Sequence, residues 1–510
     1  GPARPPPLAR PPLPAAIPLT DIITQSVTPN TLCATIGRID RPFLQQQDPY
    51  VLEFSGQQGH AMICGGPQTG KTTALRTIVL ALACTHTTDY LRFYILDLSG
   101  NDLESLSLLP HVAGVAHQHD TEKIARIIDE VCGFIDQPEP RHTFLIVDGW
   151  HVLHGDHEDL MEKLGRIVAD GLAARVHLVL TATRWSVVRP AIRDLIPQRI
   201  ETKLGEPMDS LIDRKAQLKV PALPGRGLTS SGETMLIALS AQQDVAFIAR
   251  SLVADQPPVP RLKLLPISLM LADLPQLDPE QNSVLLGVGG PKLGAVNWDY
   301  LASQHIVCIG AQESGKSTLI STIIAGLTQI GRERARLVVI DHRRSHLGAI
   351  DPDMLAGYSA STQETEKLVA AMKITLEERL PSAEVTPQQL KDRSWWTGPD
   401  IFLIVDNLDL VADMAFAPLL SVLPHARDVV IARKSGGCVR ALFQPFLAEI
   451  KDQSPFIIVL DADKDDGPLF GVRLKPQPPG RGVMIHHGTQ QGLIQIAAAD
   501  MLEATEAKAS

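Results

Sequence analysis

Gly65-Gly66-Pro67-Gln68-Thr69-Gly70-Lys71-Thr72-Thr73 and Gly310-Ala311-Gln312-Glu313-Ser314-Gly315-Lys316-Ser317-Thr318 are two copies of one pattern, G-x-x-x-x-G-K-[ST], 245 residues apart in a chain of 510. A glycine-punctuated loop can turn its backbone N–H groups inward around the α- and β-phosphates of a nucleotide. The lysine then reaches the β and γ oxygens, and the hydroxyl that follows it, Thr72 or Ser317, is placed for Mg²⁺. The context agrees in both copies. Ala61-Met62-Ile63-Cys64 and His305-Ile306-Val307-Cys308-Ile309 read as strands entering the loops, and the apolar stretches from Thr73 and Thr318 onward read as buried helices leaving them. Strand, loop and helix in that order is the setting of a P-loop, so two bound ATP-Mg²⁺ are expected.

Outward from the loops, the halves repeat. Lys71 to Asp97 spans 26 residues and Lys316 to Asp341 spans 25, each aspartate closing an apolar strand. From there Lys123 and Lys367 are both 26 residues on, each in a Thr-Glu-Lys triplet that opens a helix. A further apolar strand ends at Asp148 or Asp406, and Pro-Gly-Arg-Gly recurs at 224–227 and 479–482. The second copy is longer between Lys367 and Asp406, and that insertion ends in Trp395-Trp396, a pair suited to covering the core or to lining a protein-binding surface. Short apolar strands alternating with helices predict mainly parallel sheets covered on both faces. The expected architecture is α/β, two tandem RecA-like P-loop NTPase domains at 17–255 and 256–510 behind a Pro-rich, extended leader at 1–16. The chain opens Gly1-Pro2 rather than Met, the pattern of a protease-cleavage scar, so the natural protein is expected to extend further.

Composition narrows the class. A hydrophobic content of 44% supports large cores, and a net charge of −10 disfavours a broad nucleic-acid surface, which needs clustered Lys and Arg. The six cysteines lack metal-ligand spacing, so reduced cytosolic thiols are expected. No stretch approaches the roughly 18 apolar residues of a membrane span.

Hydrolysis needs more than a cradle. Asp148 and Asp406 stand at strand tips where Mg²⁺ is held, giving the metal set Thr72, Asp148, Ser317 and Asp406. The neighbouring carboxylate that would activate water is missing, because Gly149 and Asn407 follow the two aspartates. His151 and Asp409 lie shortly beyond as candidate substitutes. Arg184, Arg199 and Arg433 are candidate γ-phosphate sensors or arginine fingers, with surface ion pairing the alternative for each. Nucleotide binding with weak turnover is expected.

Further segments carry a resemblance. His60 and His305 open the P-loop strands; Asp97-Leu98-Ser99-Gly100, Leu109 to Val115 and the repeated Pro-Gly-Arg-Gly complete a set that resembles the FtsK/SpoIIIE ATPases. Phe144 to Trp150, Thr183-Arg184-Trp185 and Arg393 to Gly398 are similar to segments of the EccC-type ATPases of type VII (ESX) secretion. The resemblance covers nearly the whole chain and corresponds to that family's second and third ATPase modules. It implies a substrate-recognition and regulatory role with little hydrolysis of its own. The implied partners are Esx-type effectors docking by a C-terminal signal, the remaining ATPase module and a membrane-anchored secretion complex. The implied setting is cytoplasmic, at the inner face of the cell membrane, with a hexamer in the full assembly. A DNA translocase or helicase of the FtsK/RecA group is the alternative.

Overall fold

A computed structural model describes residues 12–23, 31–157, 160–278, 280–392, 394–423, 429–434, 438–461, 468–472 and 476–499. The chain divides into two compact units, 1–264 and 265–510.

The first unit is built on β1 (Cys33–Arg41), β2 (Gln46–Glu53), β3 (Ala61–Cys64), β4 (Leu91–Asp97), β5 (Val112–His117), β6 (His142–Asp148), β7 (Val176–Ala182), β8 (Gln198–Thr202), β9 (Arg226–Leu228) and β10 (Thr234–Ile237). Among the described residues they form one sheet in the order β2-β1-β10-β9-β8-β3-β7-β6-β4-β5. The six strands from β8 to β5 are parallel. The rest extend the sheet antiparallel. Ala61 and Ile63 enter one apolar cluster while Met62 and Cys64 enter another, so the P-loop strand is buried on both faces. That is why its sequence is continuously apolar rather than alternating.

The second unit repeats this plan with β11 (Ser283–Gly289), β12 (Gly294–Asp299), β13 (His305–Gly310), β14 (Ala335–Asp341), β15 (Leu355–Ser359), β16 (Asp400–Asp406), β17 (Val429–Lys434), β18 (Phe456–Val459), β19 (Arg481–His486) and β20 (Thr489–Ile496). Its sheet order is β12-β11-β20-β19-β18-β13-β17-β16-β14-β15. The sheets are thus mainly parallel, as expected, with an antiparallel wing in each unit that P-loop spacing does not announce.

The unit boundaries differ from those read in the sequence. Arg226 donates from Nη2 to the carbonyls of Leu13 and Pro14, and Arg481 does the same to Leu265 and Pro266. Leu13 and Ile17 are buried. Leu13-Pro14 therefore belongs to the first unit and Leu265-Pro266 begins the second. Residues 256–264 stay with the first unit, where Val259 N–H donates to Pro110 and Leu262 N–H to Ala113. The expected extended Pro5-Pro6-Pro7 and Pro11 lie outside the described residues. Cys33, Cys64, Cys84, Cys132 and Cys308 are free thiols, and burial raises Cys64 and Cys308 to about 12.

Trp395 is half-buried and donates its indole N–H to Arg379 O, while Trp396 is 39% exposed with the Arg379 guanidinium 4.5 Å from its ring centroid. The pair pins the insertion to the end of the helix Thr362–Glu377 instead of filling the core.

Candidate nucleotide sites

Each P-loop is shaped by its neighbours. Gly65 N–H donates to Ala182 O, Gly66 N–H to Lys203 O, and in the second unit Ala311 N–H to Asp461 O. Gln68 and Glu313 stand at φ +56° and +61°, and Gly70 and Gly315 at +94° and +104°. These left-handed residues turn successive N–H groups to one side, the nest geometry that binds anions. Helices Lys71–Thr85 and Lys316–Ile330 start at the loops with no side-chain cap, so their first N–H groups and positive dipole ends face the phosphate position.

The Pro-Gly-Arg-Gly repeat acquires a mechanical role. Gly225 N–H donates to Thr69 O and Gly480 N–H to Ser314 O, at 2.9 and 2.8 Å. A Cβ on Gly70 or Gly315 would lie 2.8 Å from the nitrogen of Gly225 or Gly480. The repeat is therefore a brace under the loop, and its arginine ties the same brace to the start of the unit.

Lys71 Nζ donates to Gly66 O and Lys316 Nζ to Ala311 O, both at 2.6 Å. Burial lowers the pKa of both lysines, with Asp148 opposing this for Lys71, and Cys308, Asp406 and Asp409 for Lys316. In the second unit, Gln312 to Thr318 line an open cleft of about 430 Å³ together with Arg343, Ser345, Asn407 and Pro479.

The strand-tip aspartates are brought to the loop hydroxyls, but their company differs. Asp148 accepts from Thr72 Oγ1 at 2.7 Å, Ser99 Oγ at 2.6 Å and Thr181 Oγ1 at 2.5 Å. Hydroxyls can turn to accept from metal-bound water, so this all-oxygen set fits a hard cation such as Mg²⁺. Asp406 accepts from Ser317 Oγ at 3.1 Å and His346 Nε2 at 2.9 Å on one oxygen, and from Asn407 Nδ2 at 3.0 Å on the other. Two of those three donors are N–H groups, and the set fits Mg²⁺ less well.

The positions after these aspartates carry no base and sit on left-handed backbone. Gly149 stands at φ +91°, and a Cβ there would lie 3.1 Å from Ser99 Cβ. Asn407 stands at φ +57° and spends its amide on Asp406. Both places demand the left-handed conformation, which glycine adopts freely and asparagine more readily than most residues. Asp97 and Asp341 sit in register beside Asp148 and Asp406, fully buried, each accepting a loop N–H, from Leu103 and His346 respectively. Burial raises the Asp97 pKa, and the charge of Asp148 adds to this.

Of the arginines, Arg184 is exposed just beyond β7, at the P-loop end of the sheet. Arg199 lies in β8 opposite Met62 and donates to the carbonyls of Ile196 and Arg193, so it staples its own loop. Arg433 is opposite Ile309 in β17, with its side chain outside the described residues. His151 and Asp409 are exposed. His60 and His305 are buried and bond to backbone or to Gln453, a structural use. Ser99 lies in the Asp97-Leu98-Ser99-Gly100 segment that carries the resemblance, whereas Thr181, Arg343, Ser345 and His346 gave no motif signal, although the matched spacing of Asp97 and Asp341 from their lysines marks the loop that carries the last three.

Fold and site together define a tandem P-loop ATPase, and the FtsK/SpoIIIE family signature matches residues 27–246. The ESX secretion system protein EccC of Thermomonospora curvata is 37% identical over 91% of this chain and 39% of its own length. The ESX-4 secretion system protein EccC4 of Mycobacterium tuberculosis is 35% identical over 96% of this chain and 42% of its own. A solved structure of Thermomonospora curvata EccC, ATPases 2 and 3, in complex with a signal sequence peptide, is 34% identical with a TM-score of 0.84, covering 96% of this chain and 99% of that one. The chain belongs to the EccC ATPases of ESX secretion systems, within the FtsK/SpoIIIE family. It spans about two fifths of the length of the two EccC relatives.

Proposed function

We propose that this chain is the ATP-binding, substrate-recognition and regulatory region of a type VII secretion motor, equivalent to ATPase modules 2 and 3. The observation that supports this most is the end-to-end likeness to the two-module EccC structure holding a signal sequence peptide. ATP occupies both P-loops, with Thr72 and Asp148 holding Mg²⁺ at the first. At the first site, Arg184 is the one of the three sequence candidates that is exposed at the P-loop end of the sheet, placed to act on a γ-phosphate there. Turnover is weak, because Gly149 and Asn407 stand where a water-activating carboxylate would follow each strand-tip aspartate. The partners are the C-terminal signals of Esx-type effectors, the remaining ATPase module and the membrane-anchored complex, with hexamers in the full assembly and a location at the cytoplasmic face of the membrane. Among the described residues no helix is long and apolar enough to cross a membrane. The relatives are secretion proteins, which puts this reading ahead of a DNA translocase.

The test is titration of an Esx-type effector's C-terminal peptide against the purified chain in ATP. Saturable binding is expected; no binding in ATP, together with ATP hydrolysis stimulated by duplex DNA at physiological salt, would replace secretion with DNA translocation.

A further inference from the structure

Two residues beyond the aspartate that ends its strand, the first unit has Ser99 and the second has Arg343. At the residue whose N–H is bound by that aspartate, the first unit has Leu103 and the second has His346. The first exchange alters the charge that a nucleotide meets, and the second alters the donors around the strand-tip carboxylate. Ser99 donates its hydroxyl to Asp148. Arg343 instead is exposed, lines the second cleft and has no hydrogen-bond or ion-pair partner among the described residues. It lies within electrostatic range of Lys316. His346, 2% exposed, replaces an apolar leucine and donates to the oxygen of Asp406 that also accepts from Ser317.

We infer that the second site holds ATP with Arg343 and Lys316 as its counter-charges and depends on Mg²⁺ far less than the first, because His346 and Asn407 commit the carboxylate that would hold the metal. Arg343 supplies a delocalised cation with five N–H donors to the β and γ oxygens, the charge that a bridging Mg²⁺ supplies elsewhere. Asp406 has an N–H donor on each oxygen, which leaves its carboxylate less room for a metal or its water than Asp148 has among hydroxyls that can turn away. At the first site the Asp148 partners are hydroxyls, which rotate to accept from metal-bound water. The two sites divide labour: the first loads and releases ATP with Mg²⁺, and the second retains nucleotide across changes in free Mg²⁺. This rests on the reading that the second P-loop binds ATP.

The experiment is calorimetric titration of ATP into the whole chain with one site disabled, in Mg²⁺ and again in EDTA. The Lys316→Ala chain reports the first site, and chelation is expected to weaken it about 100-fold or more. The Lys71→Ala chain reports the second, expected to weaken less than about 10-fold on the same treatment. Adding Arg343→Ser to Lys71→Ala lowers the affinity in EDTA by about 10- to 100-fold, the range of a charge-assisted contact. Adding His346→Leu restores part of the Mg²⁺ dependence, a change that a merely structural role for the histidine would not produce. Equal losses at the two sites on chelation, or an EDTA affinity indifferent to Arg343→Ser, overturn the inference while leaving two-site ATP binding intact. Absence of ATP binding by the Lys71→Ala chain overturns both.

Discussion

The floors beneath the two P-loops are built from opposite materials. In the first unit the residue paired with Cys64 on β8 is Glu201, fully buried, whose carboxylate accepts from Trp185 Nε1, Ser210 Oγ, Leu211 N–H and Gln217 Nε2. In the second unit the equivalent residue, paired with Ile309 on β18, is Val459, also fully buried. The same strand position is a polar hub in one unit and plain apolar packing in the other. The first floor therefore binds the loop 205–217 to the nucleotide site through hydrogen bonds, and the second relies on burial. Duplication preserved the backbone while the chemistry diverged, both here and at Ser99 and Arg343.

The largest test of this contrast is Glu201→Val, which installs the second unit's residue in the first. It strands four donors around a buried position and is expected to destabilise the first unit by about 3–5 kcal/mol. Thermal melts would show the loss, and a melt unchanged from wild type would mean the hub is dispensable.

Acid should separate the units next. Burial lowers His60 to about 4 and His177 to about 3, both below an ordinary histidine. Their folded pKa values are depressed, so the unfolded chain binds the extra protons; the first unit is stable above about pH 6.5 and loses stability as pH falls toward 4, by about 3 kcal/mol or more. Hydrogen exchange followed by mass spectrometry should show 12–264 opening first, and equal loss in both units would remove the contrast.

Replacing Lys71 or Lys316 by Ala should each abolish one of two bound ATP, weakening that site about 100-fold, or about 2.7 kcal/mol. Equilibrium dialysis counts the survivors; an unchanged stoichiometry of two would rule the loops out as the sites.

Supplying the absent base by Gly149→Glu is expected to cost the first unit about 1–3 kcal/mol, since φ is +91° and the new Cβ crowds Ser99, with no gain in hydrolysis. A rise in steady-state phosphate release would show that backbone geometry does not bar the base. Smallest is Trp396→Ala, losing a stacked guanidinium worth about 0.5–1 kcal/mol in the second unit alone.

Much of the site was legible because it is local. The P-loops, the strands that feed them and Asp148 and Asp406 are contiguous or strand-terminal features whose residue types follow from phosphate and metal chemistry. The brace was visible only as a repeated Pro-Gly-Arg-Gly, because its partners, Thr69 and Leu13 in one unit and Ser314 and Leu265 in the other, lie far away in sequence.

The sequence by itself determined that there are two nucleotide-binding modules, mainly parallel in their sheets and lacking the carboxylate after each strand-tip aspartate, since spacing and residue type carry that information along the chain. Tertiary structure alone decided the backbone conformation at that position and what surrounds each aspartate. A left-handed φ at Gly149 and Asn407, and the approach of Ser99, Thr181 and His346 from other loops, are consequences of how the strands are stacked, and no linear pattern records them.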